Sequence, residues 1–199
     1  MIAGFARMQH LENELVPDLL RSAGVDWLVE LAPAASPSPG ARVPRHRMLL
    51  DDGGWVWPCR LPGGLLPFGD EALPAVLMRH LFWLDSGPEL LRETVRCLKP
   101  GGLLVSVSAN PFHRGSWEEL GRGALQLPAW PRFLMQHGRY DLQLEVPPRT
   151  GWRGMIPGVA PLLVLAGRKP PRGDRVRSVR FRRLVGASAR PLPTSCRAA

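Results

Sequence analysis

Apolar residues along this chain fall into short blocks whose spacing predicts alternating helices and strands. Phe5, Met8, Leu11, Leu15 and Leu19 recur at helical spacing, so the first twenty residues carry one apolar helical face. Pro17 interrupts that stripe by removing a backbone donor, which leaves one helix or two short ones open. Gly24 stops the region. Trp27 to Leu31 (WLVEL) is the first strand, and the APAASPSPGARVPRH that follows reads as a proline-serine loop. Arg47 to Leu50 forms a second short strand, with Asp51-Asp52-Gly53-Gly54 a turn by composition. Trp55-Val56-Trp57 extends a strand, and Arg60 to Leu65 reads as loop.

The strongest pattern lies between Leu66 and Phe112. Ala75 to Met78 (AVLM) is an unbroken apolar run that suits a strand covered on both faces. Ser86, three residues before Glu89, forms a capping box that opens a helix. Leu90, Leu91, Thr94, Val95 and Leu98 supply its buried face, and Pro100-Gly101-Gly102 ends it. Leu103 to Val107 is the next buried strand. Two buried strands joined by a helix predict a right-handed βαβ crossover in a parallel sheet. Farther on, Ser116 to Ala124 and Trp130 to His137 read as helices, the second stopped at Gly138. Tyr140, Leu142, Leu144 and Val146 alternate as a half-buried strand, and Pro161 to Ala166 (PLLVLA) is a last apolar strand. A long loop of 14 residues separates these two, and the chain has no internal repeat.

Composition narrows the class. A chain of 199 residues with 45% hydrophobic residues and seven tryptophans supports one globular domain. No window reaches the roughly 18 apolar residues of a membrane span. Glutamates in the first twenty residues replace the apolar core of a signal peptide, so the expected location is cytoplasmic. Cys59, Cys97 and Cys196 lack the spacing of a zinc site or a disulfide frame, so reduced thiols and no metal are expected. Arginine outnumbers lysine 24 to 2, a bias ascribed to the coding genome. The net charge of +9 sits wholly after residue 167: ten Lys/Arg stand there against Asp174 alone. The boundaries expected are therefore a folded domain over 1–169 and a basic tail over 170–199, whose default state by composition is disorder. Such a tail suits weak contact with nucleic acid or another anionic surface, or no partner at all.

"LPFxDExLxAVL" followed by "LLRExxRxLKPGGxLxVS" resembles the second half of class I S-adenosylmethionine-dependent methyltransferases, in the subgroup called type 11. Asn110-Pro111-Phe112 resembles an "NPxS" loop in a bacterial subgroup. The resemblance implies a Rossmann-like α/β fold: a mostly parallel, seven-stranded sheet flanked by helices, with the last strand antiparallel. It places the cofactor, S-adenosylmethionine, above the carboxyl ends of the strands at the switch point beside the first strand.

Residue by residue, the resemblance points to Glu30, Asp51, Gly63, Met78 and His80 as cofactor-binding positions. Glu30 stands where the family has an acidic residue, but the glycines that let the family's loop approach the cofactor are replaced by Pro33, Pro37 and Pro39. Asp51 stands at the end of the second strand, where a carboxylate accepts bonds from both ribose hydroxyls; a turn aspartate would look the same. Pro62-Gly63 takes the place of an Asp-Ala pair at the adenine. Met78, Arg79 and His80 follow the fourth strand of the family, where main chain lines the pocket, and His80 suits either a base or a lining residue. Asn110 suits substrate contact or a turn cap, and Trp117 and Trp130 a pocket roof or packing. No catalytic residue is assigned, and no Ser-His-Asp set, HExxH or Walker loop supports a hydrolase or triphosphatase. Two classes follow: a methyltransferase acting on a small-molecule or macromolecular acceptor, or a non-catalytic relative that keeps the sheet as a scaffold and uses the basic tail or a partner surface for regulation.

Overall fold

A computed structural model describes residues 6–34, 36–37, 43–51, 54–57, 59–61, 65–82, 87–120, 135, 137–145 and 161–171. Eight strands form one sheet in the order β4-β3-β2-β1-β5-β6-β8-β7. They are β1 (Leu28–Pro33), β2 (Arg45–Asp51), β3 (Gly54–Trp57), β4 (Cys59–Leu61), β5 (Leu73–Arg79), β6 (Leu98–Ala109), β7 (Gln143–Glu145) and β8 (Leu162–Arg168). The helices are α1 (Ala6–Ser22), α2 (Gly87–Cys97) and α3 (Arg114–Leu120). Strands β2, β1, β5 and β6 are parallel neighbours, while β8 runs antiparallel to β6 as expected. β3 also runs antiparallel, to β2. The sheet is therefore Rossmann-like with six strands in one direction and two reversed.

The strand count exceeds the expected seven for a local reason. Asp51 lies opposite Gly54 in an antiparallel β2–β3 ladder, and Trp57 opposite Cys59 in an antiparallel β3–β4 ladder. Cys59–Leu61 is a short edge strand, so Arg60 and Leu61 leave the loop expected over Arg60 to Leu65. A hairpin stands where a crossover helix would be needed for a parallel neighbour. Strand ends shift too: Ala32 and Pro33 belong to β1, and Arg45 and His46 to β2, which trims the proline-serine loop at both ends.

α1 runs unbroken through Pro17. Its buried face is Met8, Glu12, Val16, Leu19 and Leu20, with Leu11 and Leu15 only half-buried. Val25 N–H donates to Leu20 O and Gly24 N–H to Arg21 O, with Gly24 at φ +64°, a glycine-capped end in the left-handed region. This face packs on Leu28, Ala75, Leu77, Leu103 and Val105 of the sheet. α2 covers the opposite face with Leu90, Leu91 and Cys97 over Val29, Leu31, Val76, Met78 and Leu104.

The βαβ unit is as the pattern predicts, with one refinement. Leu98 already pairs with Leu73, and the ladder resumes at Ala75 with Leu103, so residues 99–102 bulge out of β6. A Cβ on Gly102 would lie 2.7 Å from Lys99 O and 3.2 Å from Pro74 O, so only glycine fits there. The family-like motif is knitted by its own charges. Arg96 binds Glu93, Asp70 and Phe68 O, and Glu93 Oε1 accepts from Leu66 N–H at 3.1 Å. LPFGDE is thus clamped onto α2. Lys169 Nζ donates to Val95 O and Leu98 O at 2.9 and 2.7 Å, capping the carboxyl end of α2.

Ser86, Trp130 and the stretch 146–160 lie outside the described residues, as does the tail from 172 onward. Among the described residues no helix is long and apolar enough to cross a membrane.

Candidate functional site

The chain leaves β1 outward to β2 on one side and returns to β5 on the other, so the switch point lies over the carboxyl ends of β1 and β5. Alternation along the strands aims Glu30 and Arg79 at the face covered by α1. Both are buried there, and Glu12 reaches them from the middle of the helix stripe. Arg79 Nε donates to Glu12 Oε2 at 2.6 Å, and its Nη1 donates to Glu30 Oε1 at 2.8 Å. The same Nη1 donates to Pro37 O at 2.7 Å, in the loop after β1. Arg79 therefore spans the crevice from β5 to that loop. Arg47, beside Glu30 on β2, donates to Ser36 O at 2.7 Å and reaches Glu30 Oε1 at 3.4 Å, while Arg45 reaches Glu30 Oε2 at 3.5 Å.

His80 follows in a left-handed conformation, φ +50°. Its N–H donates to Val107 O at 2.8 Å, and its buried Nε2 makes a close contact with Glu12 Oε1. Burial pushes the Glu12 carboxyl up, yet the bond and charge of His80 and the charge of Arg79 outweigh it and hold the group below its ordinary value. A paired carboxylate inside the fold is stabilised this way without reaching solvent.

The other expected positions separate. Asp51 stands on the rim at the end of β2, half-buried, where Arg60 of β4 donates to both its oxygens at 3.3 and 2.7 Å. Met78 is fully buried on the α2 face, between Leu31 and Ser106 in the ladder. Gly63 lies outside the described residues. Asn110 is a turn cap: its Oδ1 accepts from Phe112 N–H at 3.1 Å. Half-exposed Trp117 donates from Nε1 to Pro111 O at 2.6 Å and so closes over the same loop. Beside the carboxyl end of β6, a groove of about 500 Å³ opens between α1 and α3, lined by Met8, Leu11, His113, Gly115, Glu119 and Pro161. Two buried groups can be set aside as chemistry. Burial pushes the Cys97 thiol up to about 11, and His137 shares a 2.7 Å hydrogen bond with Ser106 inside the core. No metal-ligating cluster occurs among the described residues.

No protein-family model matches the chain, and no curated protein matches it by sequence. Solved structures do match. The N-methyltransferase NodS from Bradyrhizobium japonicum aligns over 83% of this chain and 97% of its own at 17% identity, TM-score 0.50. An S-adenosylmethionine-dependent methyltransferase from Archaeoglobus fulgidus aligns over 79% and 94% at 15% identity, and one from Aquifex aeolicus over 82% and 97% at 11%, both with TM-score 0.50. Likeness at these identities is a likeness of fold. The chain has the fold of the class I S-adenosylmethionine-dependent methyltransferases.

That fold implies a cofactor whose methionine end carries an ammonium and a carboxylate. In this conformation the described residues do not fit that end, because Arg79 bridges the crevice and takes both buried carboxylates as partners. The nucleoside end differs. Asp51 keeps its carboxylate at the surface, and an exposed pair such as Asp51–Arg60 is worth about 0–1 kcal/mol, so exchanging partners costs little.

Proposed function

We propose that the chain is an S-adenosylmethionine-dependent methyltransferase acting on a small-molecule or macromolecular acceptor. The observation that carries this reading is the retained switch point: β2, β1, β5 and β6 stand parallel in the order the fold uses, with a rim carboxylate, Asp51, at the end of β2. No described residue is assigned a chemical step. Titration calorimetry with S-adenosylhomocysteine tests the reading. Binding is expected to be weak, and Asp51→Ala should weaken it by about 1.5–3 kcal/mol, the range for a hydrogen bond to a charged group. Undiminished binding in Asp51→Ala would remove Asp51 from the ribose. No binding at any attainable concentration would end the enzyme reading.

The Glu12–Arg79–Glu30 cluster favours a second reading, in which the sheet is a non-catalytic scaffold. In either case we assign the folded unit to residues 1–169, since Lys169 caps α2, and anionic contacts to the eight basic residues after Pro170. A truncation after Pro170 should melt within a few degrees of the full chain and lose whatever affinity for nucleic acid the full chain has. That affinity should fall steeply between about 50 and 200 mM salt. Salt-insensitive binding by the truncated chain would place the contact on the folded body instead.

A further inference from the structure

The helix that walls the groove beside β6 starts on a histidine. His113 directly precedes α3, and its main-chain oxygen accepts from Ser116 and Trp117 N–H at 3.0 and 3.4 Å. Its ring completes the cap. Nδ1 accepts from Gly115 N–H at 3.0 Å, in the role usually filled by a serine, threonine, asparagine or aspartate oxygen. Residue 115 is matched to that ring: a Cβ there would lie 3.0 Å from Nδ1 and 3.2 Å from Cε1, so glycine lets the imidazole lie against the chain. The bond also fixes the tautomer. Nδ1 accepts only without a proton, which leaves the ring hydrogen on Nε2.

We propose that His113 is a pH-sensitive cap: when the ring takes a second proton, the bond to Gly115 is lost and the first turn of α3 loosens. The step is one proton moving from solvent to Nδ1. It turns Nδ1 from acceptor into donor, facing an N–H that is itself a donor. Histidine is the side chain whose charge changes between pH 5 and 8. The charged and titratable groups around the ring are Arg114, Glu118 and Glu119 of α3 and His10 of α1; Arg114 pairs with Glu118 at 2.9 Å and His10 with Glu14 at 3.4 Å. These groups set where the proton is gained, not what it does to the cap. α3 has only seven residues, too few to persist alone. Ser116 Oγ on Pro161 O and Trp117 Nε1 on Pro111 O hold its middle, so the turn that loosens is the one where Gly115 lines the groove. The cap acts whether or not that groove serves a methyltransferase.

The test is amide protection in residues 117–120 of the full chain at about pH 8 and about pH 5, with intrinsic exchange rates divided out. Wild type is compared with His113→Asn and His113→Ala, and cooperative melting is checked at both pH values. Asparagine caps through Oδ1, which gains no proton in this range. Near pH 8 wild type and His113→Asn should be protected alike, and His113→Ala about fivefold less, the factor for a cap worth about 1 kcal/mol. Near pH 5 wild type should fall to the alanine level while His113→Asn keeps its protection. A wild type that falls no further than His113→Asn would overturn the cap, as would equal protection in wild type and His113→Ala near pH 8. The wild-type Gly115 amide gives a reading that needs no variant: its proton resonance should titrate together with the His113 ring, and a resonance that stays fixed while the ring titrates would equally overturn the proposal.

Discussion

Arg79→Met should lower the unfolding free energy by about 3–5 kcal/mol in urea denaturation at neutral pH, the usual cost of removing one partner from a buried ion pair. The substitution keeps much of the volume and deletes only the charge and its hydrogen bonds, so the loss reports on Glu12 and Glu30 left without their guanidinium. Adding Glu12→Gln should restore part of it, because a neutral amide in place of the carboxylate no longer needs a counter-charge. A loss below about 1 kcal/mol, the size of a surface pair, would mean that water reaches the cluster. Acid gives the same group a second signature. Glu12 has a folded pKa below its ordinary 4.5, so its contribution is complete above that pH and drains away as the pH falls through the lower folded value.

The backbone of this fold is written locally, which is why its centre was legible. AVLM and the apolar helix face each act within a few residues, and the observed β5, α2 and β6 follow them, with α2 ending at Cys97 and Pro100-Gly101-Gly102 lying inside β6. Gly24 ends α1 for the same reason. Elements that depend on partners outside themselves were not legible. Cys59–Leu61 is three residues long, too short for a period to register, and becomes a strand only by pairing with β3. Pro17 breaks an isolated helix pattern, but here the sheet holds the apolar face on both sides of it, with Met8 and Val16 before and Leu19 and Leu20 after.

Two strand-end placements were legible, but the partners of those residues were not. Asp51 and His80 stand at the carboxyl ends of β2 and β5, where the resemblance puts them, but nothing local shows that Glu12 closes on His80. Glu12 and Glu30 lie 67 and 49 residues from Arg79, and an arginine read alone defaults to solvent. A usable signal existed in the pattern. A carboxylate inside an apolar helical stripe, another inside WLVEL and an arginine directly after AVLM each demand a buried counter-charge. Matching those three demands to one another would have predicted the cluster. Glu93 and Arg96 teach the reverse lesson: charged residues shared with the family motif clamp LPFGDE to α2 and touch no crevice.

Met78→Ala should cost about 2–5 kcal/mol in the same denaturation assay, the range for truncating a fully buried methionine. Met78 belongs to the family-implied pocket positions by its place after AVL, yet its side chain has no exposed surface and packs in the α2-face core with Leu31, Leu90, Leu91 and Leu104. Alternation decides this. Arg79 and Leu77 face α1, so Met78 between them must face α2. Whatever Met78 offers a ligand comes from its main chain, which alanine preserves. The substitution should therefore separate two quantities: stability falls by several kcal/mol, while the affinity of the remaining folded protein for S-adenosylhomocysteine stays within about threefold of wild type. A stable variant with weakened binding would put the side chain in the pocket and shift the β5 register by one residue, since a one-residue slip exchanges the two faces of a strand.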